Sequence, residues 1–330
     1  MNIQENLFMY IKDRLPSNIS FVHDLSELLG ISYDSAYRRI RGEKELTIDE
    51  FQKICIHYNI SADNLFNVSS ESMIFITRAI GQDGYTFQKW LETIMMEMQV
   101  LHSSKEAEII YAAKDIPIFY YFEFPEIAAF KIYFWHKALL PVALHDDKLF
   151  SFEVSEELLS TGRQIIALSR KIPTAEIWSE ETITSILRQI DYCYVSGFFS
   201  GKNDAIRLTE VLEIWIRHVQ HQAELGFKFP YGTAPEGIPE SYKLFYNDVF
   251  LSDNSIVDNV DGNKMTYLTY NIINLIVSTN PVFCSQIENS LKVIMQRSTL
   301  ISGTSAKERN RFFHCLIEKV KLTRERIERE

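Results

Sequence analysis

The amino-acid sequence predicts a mainly α protein: a module of five short helices at the N-terminus, then a larger helix-rich α+β region with a small antiparallel sheet near the C-terminus. Three observations predict it. Apolar residues recur at three- and four-residue steps through most of the chain. Capping residues and glycines punctuate residues 1–67 at short intervals. Residues 242–270 are β-rich and contain the turn signal Asp261-Gly262-Asn263.

In chain order, Ile3, Leu7, Ile11 and Leu15 form an apolar stripe that Pro16 ends. Ser20 is placed to cap a helix from Phe21 to Leu29, whose Phe21, Val22, Leu25, Leu28 and Leu29 keep helical spacing. Gly30 accepts the left-handed backbone that closes that helix, and Ile31 can then tuck between it and the next. Ser32 caps a second helix running to about Arg41 and stopping at Gly42. A basic loop through Lys44 leads to Thr47-Ile48-Asp49-Glu50, a capping box ahead of Phe51, Ile54, Cys55 and Tyr58. A fifth helix starts at Ser61 and ends near Phe66.

At 100° per residue, the helix after Ser32 turns Ala36 and Ile40 to one side, over Ile31. Asp34, Ser35, Arg38 and Arg41 fall on the other, with Tyr37 at its edge. The arrangement resembles the N-terminal DNA-binding domain of phage-repressor-like (λ repressor and Cro type) regulators, over roughly residues 1–67. Leu25, Leu29, Gly30, Ile31, Ser32, Ala36, Ile40, the Arg41-Gly42 pair and the restart from Leu46 to Phe51 carry the resemblance. It implies that the second helix of the pair enters the major groove of double-stranded DNA and that a homodimer reads two half-sites. Tyr33, Asp34, Ser35, Tyr37, Arg38 and Arg41 are then candidates for groove contacts, with Arg39 and Lys44 for phosphate and Ser32 as a further DNA-binding candidate. Residues 1–67 carry seven Lys and Arg against ten Asp and Glu, so sequence-independent DNA affinity should be weak.

The whole chain has 330 residues, 46% hydrophobic and 24% charged, which is room for two or three globular domains. The net charge of −10 excludes a broad basic surface. Cys55, Cys193, Cys284 and Cys315 are far apart, a spacing that favours reduced thiols in a cytoplasm over disulfides or a structural zinc. The first residues lack a charged start followed by an apolar run, so no signal peptide is expected. The most apolar stretch, 116–140, is broken by Pro117, Glu123, Pro125, Glu126, Lys131, His136 and Lys137, so no membrane contact is expected.

Beyond residue 67 a polar linker, or the first strand of the next domain, occupies 68–85. Residues 86–225 form a helical, aromatic-rich region. Segments 72–78 and 106–112 are β-compatible around a helix at 86–102, which makes either a strand-helix-strand unit or three helices of one bundle. Pro125 starts a helix within the aromatic stretch, and Ser155–Ser169, Ser179–Phe199 and Asn203–Glu224 read as three further helices. Residues 226–330 hold the small sheet and two helices, 281–296 and 305–328, in a piece suited to sensing or dimerising.

Two constellations could carry chemistry. Ser302, Thr304 and Ser305 open a helix bearing Arg309 and Arg311, so hydroxyls, free helix N–H groups and guanidinium could hold an anionic effector. Ser305-x-x-Glu308 is also a capping box, the simpler reading. His218 and His221 are spaced to share a metal but have no third ligand nearby, and read as solvated surface. No phosphate loop, nucleophile elbow or His-Glu-x-x-His is present, so no catalysis, metal or cofactor is expected. The expected function is a DNA-binding transcriptional regulator with a C-terminal dimerisation and small-molecule effector region. The alternatives are a scaffold whose five-helix module docks a protein, and an enzyme activity in the C-terminal region.

Overall fold

A computed structural model describes residues 3–12, 15, 20–58, 60, 62, 73, 75–77, 80–81, 84–139, 149–249 and 253–330. The chain divides into two compact units, Met1–Ile74 and Phe75–Glu330. The helix expected at 61–66, apart from Ala62, and residues 68–72 of the expected linker or first strand fall outside the described residues.

The first unit holds α1 (Ile3–Lys12), α2 (Phe21–Leu29), α3 (Tyr33–Ile40) and α4 (Ile48–His57). Its core is Leu7, Phe8, Ile11, Phe21, Leu25, Ala36, Ile54, Cys55 and Ile60. Of the positions that the helical spacing selects, Leu7, Ile11, Phe21, Leu25, Ile54 and Cys55 are in it, Val22, Leu28, Leu29, Phe51 and Tyr58 pack against it half-buried, and Ile3 is exposed. Ser20 occupies the N-cap of α2, but its side chain makes no capping bond, contrary to expectation. Tyr58 closes the unit by donating its hydroxyl to Asp24.

In the second unit the expected small C-terminal sheet is replaced by one eight-stranded mixed sheet of order β1-β7-β6-β5-β2-β3-β4-β8. Its strands are β1 (Ile76–Thr77), β2 (Ala107–Ala113), β3 (Thr174–Trp178), β4 (Tyr242–Tyr246), β5 (Ser255–Val260), β6 (Asn263–Asn271), β7 (Asn274–Ser278) and β8 (Thr299–Leu300). β2, β3 and β4 run parallel, with Ile109 opposite Thr174 and Thr174 opposite Tyr242. The meander β5-β6-β7 is antiparallel and joins at β2 through Ile110 opposite Val257. The described residues are therefore α+β rather than mainly α, and segments 86–225 and 226–330 share one sheet. The reason lies in β3: all five of its residues are buried, so it lacks the polar alternation that marks a strand with one wet face. Its neighbour, expected as a helix over 179–199, is a turn followed by a shorter helix from Thr184 to Val195.

On one face of the sheet the main core gathers α5 (Phe87–Ser103), a 3-10 helix (Ile118–Glu123), α6 (Pro125–Leu139), α7 (Glu156–Ser169), α8 (Thr184–Val195), α9 (Lys202–Leu225) and α11 (Ala306–Arg329). On the other face α10 (Pro281–Gln296) sets Leu291 against Ile110, Ala112, Ala175, Ile177 and Val257. No helix among the described residues is long and apolar enough to cross a membrane.

Gly162 on α7 is where helix and 3-10 segment meet, because a Cβ there would run into the Phe122 ring. Gly162→Ala should cost ~1–3 kcal/mol from overpacking, more than the ~1 kcal/mol the alanine returns in helix propensity. The urea midpoint by tryptophan fluorescence reads this, since Trp90, Trp135, Trp178 and Trp215 all lie in the second unit. A midpoint that rises instead would mean the two elements can part freely.

Candidate nucleic-acid interface

The α2–α3 pair is built from its turn outward. Gly30 takes φ 64°, and its N–H bonds the carbonyl of Glu27 at 3.2 Å, which ends α2. Ser32 then caps α3, its hydroxyl accepting from Ser35 N at 3.3 Å. Ala36, fully buried, lets the two helices approach closely.

The far side of α3 is open. Tyr33 and Tyr37 are 57% and 44% exposed, and Asp34, Arg38, Arg41 and Lys44 are also exposed. The Arg41 guanidinium carbon lies 5.4 Å from the Tyr37 ring centroid. Arg38 and Arg41 approach opposite oxygens of Glu43, at 3.8 and 3.4 Å. Such exposed pairs are worth under ~1 kcal/mol, so a phosphate or base edge can replace Glu43 at little cost. The outward face presents two arginines and two phenols, groups able to bond base edges and phosphate.

Arg39 corrects the expectation of a phosphate contact, for its guanidinium turns inward and is 4% exposed. Its Nε and Nη2 donate to Glu50 Oε2 and Oε1 at 3.0 and 2.6 Å, and its Nη1 donates to Ser35 Oγ at 2.8 Å. Ser35, offered as a groove contact, is half-buried with its hydroxyl accepting from Arg39. Glu50 Oε2 also accepts from Thr47 N at 3.1 Å, completing the capping box of α4. A single carboxylate thus starts α4 and fixes α3. Burial raises the Glu50 carboxyl, but the bonds from Arg39 and Thr47 outweigh it and leave its pKa below the ordinary value.

Gln4 supports the loop after α3. Its Nε2 donates to the carbonyls of Arg39 and Lys44 at 2.7 and 2.9 Å, and its Oε1 accepts from Leu46 N at 2.9 Å. Nothing in the apolar stripe of α1 signals this role. The Thr47-Glu50 spacing does signal the cap, but not the second bond of the same carboxylate.

The candidate anion site at the start of α11 does not assemble. Ser305 sits at φ 52° and makes no side-chain cap, against the capping-box expectation. Arg309 is buried and spends Nη1 on the carbonyls of Ile301 and Thr304, at 3.1 and 2.8 Å. Ser302 is buried and accepts from Leu244 N at 2.9 Å, while Thr304 and Arg311 are exposed. The guanidinium that would hold an anion is holding the loop. His218, expected in solvent, is buried with Nε2 2.9 Å from the Phe229 carbonyl, and burial lowers its pKa. Its partner His221 is exposed. Among the described residues no group of three His, Cys, Asp or Glu could hold a metal ion, and all four cysteines are free.

Two capped helices joined through Gly30, with an inward-locked and an outward-facing side to the second, define a helix-turn-helix unit. Residues 19–75 match the BetR domain, a helix-turn-helix-like domain of transcriptional regulators. That match supports the general motif and is not specific to the phage-repressor type. No curated protein and no solved structure matched the chain.

Proposed function

We propose that this protein is a DNA-binding transcriptional regulator. It reads an inverted-repeat operator as a homodimer, with α3 in the major groove and the unit 75–330 serving dimerisation and effector sensing. The observation that carries the reading is the division of α3 into a face locked by Arg39 and Glu50 and an open face bearing Tyr33, Tyr37, Arg38 and Arg41, within a segment matching the BetR domain. Lys44 is positioned for phosphate in this reading. No catalytic step is assigned to the chain.

Selection of genomic fragments by the purified protein at ~150 mM salt, where non-specific binding is weak, tests it. An enriched palindrome is the expected result. Arg38→Ala should then lose ~1–3 kcal/mol on that site and little elsewhere if Arg38 reads a base pair. An equal loss on every sequence would place Arg38 on phosphate instead.

The proximity of Glu43 to both arginines favours one second reading, a module that docks an acidic protein surface. DNA titrations with a salt slope near zero would select it, because phosphate contacts release counterions.

A further inference from the structure

Beneath the middle of β3 lies a charged centre that the DNA-reading proposal does not use. Glu176 is fully buried on the face of the sheet opposite α10 and accepts from four side chains. Tyr120 Oη donates to its two oxygens at 3.0 and 3.1 Å, Trp178 Nε1 at 2.9 Å and Tyr242 Oη at 3.3 Å. Lys228 Nζ sits 2.6 Å from Oε1. Burial, reinforced by the Glu176 charge, raises both phenols well above their ordinary pKa, so both remain donors.

The surroundings of the lysine ammonium are unusual for an ion pair. Nζ lies 4.8, 5.1 and 6.0 Å from the ring centroids of Tyr242, Tyr120 and Phe119, a set of π faces around one cation backed by one carboxylate. The walls belong to β3, β4 and the 3-10 helix, whereas the cation comes from the connection between α9 and β4. That connection is exposed at every residue from 231 to 240, and Lys228 and Phe229 are its two buried side chains after Gly226. Strands and a 3-10 helix form the receptor and a surface connection supplies the occupant.

We infer that Glu176, Tyr120, Tyr242 and Phe119 form a binding site for a small organic ammonium ion, which Lys228 fills until such a ligand displaces it. A methylated ammonium suits these walls, because its spread charge and apolar surface lose less by leaving water than a metal ion would, while still gaining from the π faces and the carboxylate. Displacement would free Lys228 and remove one anchor of the exposed connection, which His218 and Gln222 also hold at the Phe229 carbonyl and Glu123 at the Tyr231 amide. Regarding the ligand as an effector of DNA binding rests on the regulator reading; binding itself does not.

The test uses the full-length protein, with tetramethylammonium and methylammonium chloride as probes and sodium chloride at equal ionic strength as control. Tryptophan fluorescence is the readout, since Trp178 bonds Glu176 and stacks on Trp215 at a 5.9 Å centroid separation. A saturable change with an ammonium probe below ~100 mM is expected in the wild type. Lys228→Ala should bind at least ~10-fold tighter, because a tethered competitor at millimolar effective concentration has been removed. A wild type that answers ammonium and sodium alike overturns the proposal, and this arm stands even if the variant fails to fold. A folded Lys228→Ala protein with no gain in affinity overturns it too. DNA plays no part in the titration, so a failed ammonium site and a failed regulator reading are told apart.

Discussion

Glu50→Ala should destabilise the N-terminal unit by ~2–4 kcal/mol, from the loss of charged hydrogen bonds to a buried guanidinium and of a helix cap. Arg39, 4% exposed, would keep its charge with the Ser35 hydroxyl and carbonyl as its partners. The start of α4 would lose its reciprocal cap at the same time. Hydrogen exchange of the amides of α3 and α4 reads the loss without interference from the larger unit. Glu50→Gln keeps the cap but not the charge. It should therefore be less stable than Glu50→Gln combined with Arg39→Met, in which no unpaired cation is left behind. Acid should act in the same direction. Because the Glu50 pKa is lowered in the folded state, its contribution is complete above the ordinary carboxylate range and is lost as pH falls through the depressed value. Exchange rates that ignore both the substitutions and acid would show that α3 is held by its apolar contacts alone.

Glu176→Ala should cost more, ~3–5 kcal/mol in the unit 75–330, because both members of its ion pair are buried. Lys228 would remain buried without its carboxylate, and Tyr120, Tyr242 and Trp178 would each lose an acceptor. An unmet buried donor costs ~1–3 kcal/mol, although expulsion of Lys228 to solvent would recover part of the total. The expected result is a large fall in the urea midpoint by tryptophan fluorescence. Glu176→Gln, which still accepts hydrogen bonds, should fall less. An unchanged midpoint in Glu176→Ala would mean that the charged centre is dispensable to folding.

The first unit was legible because its signals are local. Ser32, Thr47 and Gly30 mark helix ends within a few residues of the segments they bound, and the stripe of Leu7, Ile11, Leu25 and Ile54 follows helical spacing. Arg39 was misplaced because residue type argues for the outside, while its actual partner lies eleven positions along on another helix. The second unit was legible in its helices and much less so in its sheet. β3 carries Glu176 at its centre, a residue that helix propensity favours and strand patterning rejects. The charge is tolerated there because Lys228, Tyr120 and Tyr242 converge on it from three other segments. The same distance in sequence hid the centre around Glu176, whereas the burial of His218 rests on Gln222 and Phe229, four and eleven positions along, and carries no local signal.

The strand order of the sheet has a consequence for how the molecule is made. Ile110 must find Val257, and Ala175 must find Lys243, so neither β2 nor β3 can acquire both of its neighbours until most of the chain has left the ribosome. Such distant pairings are slow to form and leave strand edges exposed meanwhile. The N-terminal unit, whose described contacts close between Gln4 and Tyr58, faces no such delay. The helix-turn-helix unit should therefore be folded well before the sheet, so nascent chains would expose a finished N-terminal unit ahead of the one proposed to govern it.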